Sequence, residues 1–117
     1  YVAHLWATLA GISKVGSYTG NGTNQTISCG FSAGARYILI KKHQAAGESY
    51  TNGDVYIWDT TRGIIAGNDP HLSLNTGTAQ ITNDDSVDPA NDGFIVNQVS
   101  ATNINVFGKT YIFYAIA

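Results

Sequence analysis

Short apolar runs rich in β-branched and aromatic residues recur along the chain, and glycine, asparagine, aspartate or serine separates them. β-Branched and aromatic side chains fit the pleated surface of a sheet, whereas the separating residues are those that turns require. The intervals of about 8 to 12 residues are typical of a sandwich or a barrel. We therefore predict strands near residues 2–9, 16–18, 26–31, 36–42, 54–59, 64–66, 73–74, 80–81, 93–99 and 110–117.

A helix competes with this interpretation only at residues 3–12, where the aromatic start and the β-branched continuation count against it. Turn sequences support hairpins: Gly-Asn-Gly at residues 20–22, Asn-Gly at 52–53 and Asn-Asp-Pro at 68–70. Glycine and asparagine tolerate the positive φ of tight turns, and proline ends a strand. The predicted fold is an all-β, antiparallel two-sheet β-sandwich, jelly-roll-like, with no substantial helix.

Two predicted strands, residues 37–40 and 111–117, are apolar throughout instead of alternating. A strand of this kind is covered on both faces, either inside a sandwich or against another copy of the chain. Residues 1–7 (YVAHLWA) align with residues 111–117 (YIFYAIA) as if both were versions of one strand. The two segments would then compete for the same environment.

Two arrangements resolve this competition, and coincidence is the alternative to both. Residues 1–7 could be the end strand of a preceding tandem copy, with residues 10–14 as the junction. They could also be a strand donated to the next subunit. Both arrangements predict head-to-tail contacts that extend into rows or fibres. We accordingly divide the chain into a terminal strand and linker, residues 1–14, and a sandwich domain, residues 15–117.

Composition narrows the classes of partner. The chain of 117 residues carries a net charge of -2, with 44% hydrophobic and 12% charged residues. No basic cluster predicts nucleic acid as a partner, and no apolar run is long enough for membrane insertion. A single cysteine cannot form an internal disulfide. The chain contains no methionine, which suggests a processed chain or a segment of a longer one.

Several motifs resemble a repeated β-domain of unknown function found in tail-fibre and other virion structural proteins of tailed bacteriophages. These motifs are GSYTGNG at residues 16–22, ISCGF at 27–31, RYILIK at 36–41, YIWDTTRG at 56–63 and GKTYIFYAIA at 108–117. The resemblance covers nearly the whole chain. It implies tandem copies, a structural or receptor-facing role and no known catalytic site.

Residues with reactive side chains give weaker signals. Cys29, His4, His43 and His71 lack the close spacing of zinc ligands, so we interpret them as packing or surface residues and predict no metal site and no cofactor. The acidic loop at residues 83–93 does not follow the EF-hand register, and we expect a solvated loop with Asx turns. Calcium there is a minor hypothesis, which EDTA would test.

An aromatic ring beside carboxylate and guanidinium groups could bind a sugar. The alternative is that two of these rings pack on one sheet face while the acidic and basic groups pair across the following turn. The set that would form such a glycan site is Tyr56, Trp58, Asp59, Arg62 and either Asn68 or Asp69.

The resemblance implies a non-enzymatic structural module of a phage tail fibre or another appendage. No acid–base or nucleophile arrangement in the sequence favours an enzyme instead. Its partners would be copies of itself or tandem domains, and its location extracellular, on a virion or cell-surface filament. The alternatives are a glycan-binding receptor-recognition module and a bacterial filament subunit that uses strand donation. The residues expected to form the joints are Tyr1, Val2, Leu5, Trp6, Tyr111, Ile112, Tyr114 and Ile116.

Overall fold

The computed structural model describes residues 1–44 and 54–117, and this part of the chain folds as two antiparallel sheets. One sheet has five strands in the order β1-β8-β3-β4-β5, and the other has three in the order β2-β7-β6. The strands are β1 (Ser13–Thr19), β2 (Gln25–Ser28), β3 (Tyr37–Lys42), β4 (Val55–Asp59), β5 (Leu72–Ser73), β6 (Val87–Ala90), β7 (Gly93–Val96) and β8 (Thr110–Ile116).

The last strand is central to the five-stranded sheet. β8 pairs with β1 along one side, from Ser13 opposite Ile116 to Thr19 opposite Thr110, and with β3 along the other side. Both rows of its backbone hydrogen-bonding groups are therefore occupied within the domain. The apolar run predicted cover on both faces, but burial alternates along β8, and Ile112 on the outer face is 47% exposed.

The core lies between the sheets. Buried side chains alternate along β3, β4 and β8, and they meet Phe94 and Val96 of β7 from the opposite sheet. The rings of Phe94 and Phe113 contact edge to face across the gap, with their centroids 5.4 Å apart. Trp58 fills the middle of the core and is fully buried. The prediction of an all-β sandwich is thus confirmed.

Individual strands differ from the prediction at several places. Residues 2–9 form neither a strand nor a helix, apart from a single bridge between Leu9 and Ser13. Residues 64–66 are not a strand, and Ile81 makes only one bridge, to His71. β6 lies within residues 83–93, which we expected to be a solvated loop. Its Pro89 is accommodated because an edge strand tolerates a residue without an N–H group. The Asn-Gly turn at residues 52–53 lies outside the described residues.

In the described part of the chain, no helix is long and apolar enough to cross a membrane.

Candidate functional site

The first nine residues, here called the N-terminal segment, contact the outer face of the five-stranded sheet through Trp6. The indole of Trp6 stacks on the phenol ring of Tyr114 in β8, with centroids 5.2 Å apart and planes 19° apart. The imidazole of His4 stacks on the indole of Trp6, with their centroids 6.1 Å apart. The hydroxyl of Ser13 donates to the carbonyl of Ala7 over 2.9 Å. Trp6 and Ala7 therefore each attach the segment to the sheet, one through an aromatic stack and one through a hydrogen bond.

The outer edge of β1 is the first place where a donated strand could pair. Ala117 N–H donates to Ile12 O over 2.9 Å, and Gly20 N–H donates to Lys109 O over 2.8 Å. Hydrogen-bonded residues alternate in an antiparallel pair, so the even-numbered residues of β1 bond to β8. The odd-numbered residues direct their backbone groups away from β8, toward the open edge.

The N-terminal segment closes much of that edge. Leu9 exchanges two backbone hydrogen bonds with Ser13, at 2.9 and 3.0 Å. The hydroxyl of Thr8 accepts from Val15 N–H over 3.1 Å and lies 3.4 Å from Val15 O as a donor. Of the outward-facing residues of β1, Ser17 and Thr19 are left without cover from the segment, and Thr19 O accepts instead from Gln25 Nε2 over 3.0 Å. Folding the chain back is a recognised way to protect an edge strand from pairing with another chain.

The outer face beside Trp6 is apolar. A shallow groove of about 80 Å³ lies where β1, β8 and β3 run side by side. Val15 and Ile112 on this face are 40% and 47% exposed, so none of the described residues covers them fully. The residues lining the groove are Trp6, Val15, Leu39, Ile112, Phe113 and Tyr114.

The apolar residues of the N-terminal segment have almost no cover. Tyr1 is fully exposed, Val2 is 85% exposed and Leu5 is 89% exposed, whereas Trp6 is half-buried by Tyr114. Scattered apolar residues on a surface are ordinary, but a segment of them beside an apolar groove is a feature of interaction sites.

The C-terminal joint residues divide between the two faces of β8. Tyr111 is fully buried; its ring stacks 5.0 Å from that of Tyr18, and its hydroxyl donates to Asn103 O over 2.7 Å. Ile112, Tyr114 and Ile116 lie on the opposite, outer face. In this fold, Tyr111 is a core residue, and only the other three can contact a neighbour.

The residues expected to bind a glycan do not form one surface. Tyr56 and Trp58 lie on the inner face of β4, and Trp58 has no ring face open to a ligand. Asp59 is on the other face and forms an ion pair with Arg62 across the turn after β4. Arg62 also donates through Nε to Gln80 Oε1 over 3.2 Å. This is the packing and pairing arrangement considered as the alternative to sugar binding.

Asp69 is buried instead of facing a ligand. Its Oδ1 accepts from the backbone N–H groups of Ser86 and Val87, at 3.2 and 3.3 Å. Burial raises the pKa of Asp69 to about 7; the charges of Asp84 and Asp85 act in the same direction, and the two backbone bonds oppose them. Its carboxyl holds the loop before β6 in place, so its role here is structural.

The other reactive residues are also held in structural contacts. Burial, with a contribution from the charge of Asp92, raises the pKa of the Cys29 thiol to about 11, which makes it a poor nucleophile at neutral pH. Within the acidic loop, Asp85 and Asp88 both accept from the side-chain amide of Asn97, at 2.7 and 2.9 Å. Over residues 1–44 and 54–117, no group of three or more acidic, histidine or cysteine side chains could hold a metal ion.

Sequence reasoning missed three residues that shape this site. Val15 and Leu39 line the outer groove, and both could have been found because they share the outer face of their strands with the apolar positions of β8. Thr8 gave no signal, since its role depends on the chain folding back over β1. The apolar lining of the groove could therefore be predicted from the sequence, but the segment that folds back beside it could not.

Comparison with known proteins identifies a family for this chain. No curated protein and no solved structure matches the chain. A family model described as a domain of unknown function, DUF7483, matches residues 1–117, a range that includes the N-terminal segment as well as all eight strands. The chain belongs to this family of domains of unknown function, DUF7483.

Proposed function

We propose that this domain is a non-enzymatic structural module that joins head-to-tail to neighbouring copies. The N-terminal segment of one copy would lie in the outer groove of the next, beside its β8. The carrying observation is that Trp6 lines the apolar groove and stacks on Tyr114, while Tyr1, Val2 and Leu5 of the same segment are exposed. The occupant we propose for that groove is a second copy of the same chain.

The mode of contact differs from simple strand donation. β8 is paired along both sides, and Thr8 and Leu9 cover much of the β1 edge. A neighbour would therefore contact the face of the sheet and need not extend its edge. Burial of Tyr1, Val2 and Leu5 would contribute roughly 4 to 9 kcal/mol before the cost of ordering the segment.

The biological setting we propose is an extracellular one, a phage tail fibre, another virion appendage or a cell-surface filament. This setting rests on the resemblance of the strand and turn motifs alone. A heterologous contact between segment and groove suits such a role because it repeats in one direction without closing.

Complementary variants provide the test. Leu5→Ser disables the segment but leaves the groove intact, and Ile112→Ser disables the groove but leaves the segment intact. Both side chains are exposed, at 89% and 47%, so both variants should fold. In sedimentation velocity and electron microscopy, the unmodified chain should form extended rows. Each variant alone should stay monomeric, and a mixture of the two should form dimers and no longer species.

Phe107→Ser is the matched control. Phe107 is 79% exposed and lies near Gly22, beyond the opposite end of β1 from the N-terminal segment. This variant should assemble like the unmodified chain. The proposal fails if the unmodified chain is monomeric at every concentration, or if Phe107→Ser blocks assembly as strongly as Leu5→Ser does.

A further inference from the structure

A second surface, separate from the outer groove, has the features of a small-molecule site. A cleft of about 410 Å³ opens beside β4 and β5, within the size range of small-molecule pockets. Its walls combine hydroxyl, carboxylate and amide groups with two aromatic rings. The lining residues are Asp54, Tyr56, His71, Ser73, Thr76, Thr78, Ile81, Asn83, Asp84 and Ala101.

The cleft is negatively charged. Asp54 and Asp84 both line it, and the described residues that line it include no lysine or arginine. Burial lowers the pKa of His71, although the charge of Asp84 and the backbone of Asp69 oppose this, so the imidazole is neutral at pH 7. His71 therefore leaves the negative charge of the cleft uncompensated at neutral pH.

The wall of the cleft contains polar atoms without partners. Asp84 Oδ1 accepts from the Ser86 hydroxyl over 2.6 Å, but Asp84 Oδ2 has no hydrogen-bond partner among the described residues. His71 Nδ1 lies 3.5 Å from Asp84 Oδ1, yet it too makes no hydrogen bond. The side chains of His71 and Asp84 are only 3% and 9% exposed. A buried charge without a full set of partners is costly, and a cationic donor would offset that cost.

The second carboxylate is held in position. Asn75 donates through Nδ2 to Asp54 Oδ1 over 2.9 Å, and Tyr56 Oη lies 3.4 Å from Asp54 Oδ2 as a donor. Burial, followed by the charge of Asp54, raises the pKa of Tyr56 to about 12, so its hydroxyl remains a donor at neutral pH. The carboxylate of Asp54 is thus oriented before any ligand arrives. Such preorganisation lowers the cost of binding.

Hydroxyl groups form the remaining polar part of the cleft. Ser73 donates to Asn75 Oδ1 over 3.1 Å, and the hydroxyls of Thr76 and Thr78 are 2.7 Å apart on the exposed side. Each hydroxyl can both donate and accept, which suits the hydroxyls of a ligand.

We propose that this cleft binds a small hydroxylated molecule that carries a primary ammonium group. Asp54 and Asp84 hold the ammonium group, and Ser73, Thr76 and Thr78 contact the hydroxyls. This is a binding function in addition to the assembly proposed above, and it uses none of the residues of the outer groove. Charge-assisted hydrogen bonds to the carboxylates provide the preference for an amine over a neutral analogue.

Two sugars that differ in one group provide the test. D-Glucosamine carries an ammonium group where D-glucose carries a hydroxyl, so the pair isolates the effect of charge. Titrations of the full chain, followed by amide chemical shifts in NMR, should show glucosamine shifting resonances of the cleft residues. Glucose should bind at least about tenfold more weakly. Equal affinity for both sugars would overturn the proposal in favour of a neutral saccharide site, and no shift with glucosamine would overturn it entirely.

Asp54→Asn tests the carboxylate directly. Asp54 is only partly buried, so this variant should fold, and it should bind glucosamine about tenfold more weakly while glucose binding stays unchanged. Asp88→Asn removes the same charge outside the cleft and should leave both affinities unchanged. The proposal is wrong if the two variants weaken glucosamine binding equally, because the effect would then be one of net charge.

Discussion

Residues 1–7 and 111–117 have nearly the same pattern of residue types, yet the structure gives them opposite environments. The C-terminal stretch contains most of β8, which pairs with β1 and β3 and buries Tyr111 and Phe113. The N-terminal stretch has no regular secondary structure and contacts the sheet through Trp6. An apolar pattern indicates that a segment needs cover, but it does not specify which partner provides that cover.

One of the aligned positions that differ bears directly on the core. Phe113, which packs against Phe94 in the core, corresponds to Ala3 in the N-terminal segment. If residues 1–7 occupied the place of β8 in another copy, an alanine would stand where the phenylalanine ring fills the core. Replacing a buried phenylalanine by alanine costs about 3 to 5 kcal/mol. This argues for the segment as a surface arm and against its use as a substitute for β8.

The aligned tyrosines give the largest expected contrast. Tyr111→Ala should lower the free energy of unfolding by about 3 to 5 kcal/mol, because it removes a fully buried ring that stacks on Tyr18. Tyr1→Ala should change it by less than about 0.5 kcal/mol, because that side chain is fully exposed. Urea unfolding followed by circular dichroism measures both. Similar losses in the two variants would show that the N-terminal segment is packed like a core strand.

A smaller effect is expected from crowding Phe113. A Cβ atom at Gly16 in β1 would lie 2.8 Å from the ring of Phe113. Gly16→Ala should therefore destabilise the domain by about 1 to 3 kcal/mol. Phe113→Leu in the same chain should recover part of this loss, because leucine leaves room for the new methyl group. If the two substitutions are simply additive in urea unfolding, Phe113 does not determine the glycine at position 16.

The sequence was informative where a residue's neighbours are set by alternation along a strand. Strand-rich segments and turn residues sufficed for the all-β sandwich. The continuous apolar pattern of residues 111–117 suggested cover on both faces, whereas β8 is central through its pairing and alternates between buried and more exposed positions. Environments that depend on distant segments were not visible. Trp58 was a candidate for sugar binding, with packing as the alternative, and its full burial depends on the second sheet. Asp69 was a candidate as well, and its carboxyl is held by the N–H group of Val87 in β6, a strand that was not predicted.

Tyr18, which stacks on Tyr111, should make the stability of the domain depend on pH in alkaline solution. Burial, with a contribution from Tyr111, raises the pKa of Tyr18 well above its usual value of 10. Between that value and the folded pKa, the unfolded chain releases a proton that the folded chain keeps, so the free energy of unfolding should fall as the pH rises above 10. Tyr18→Phe should flatten this fall.

The same variant has a cost at neutral pH. Tyr18→Phe loses the 2.6 Å hydrogen bond to Ile104 O, which should lower the free energy of unfolding by about 1 kcal/mol at pH 7. Tyr1→Phe is the control and should alter neither the value at pH 7 nor the slope in alkali. If the free energy of unfolding of Tyr18→Phe falls with pH as steeply as that of the unmodified chain, other groups cause the loss of stability in alkali.

The smallest effect concerns the aromatic contact between Trp6 of the N-terminal segment and Tyr114 of β8. Trp6→Ala should lower the free energy of unfolding by only about 0.5 to 1 kcal/mol, because Trp6 is half-exposed and stacks on one ring. The chain has two tryptophans, and Trp58 is fully buried. The variant should consequently lose the acrylamide-quenchable part of the fluorescence and keep a blue-shifted, protected emission. If quenchable emission persists in Trp6→Ala, then Trp58 is open to solvent. The core would then not differ from the N-terminal segment in its exposure as described above.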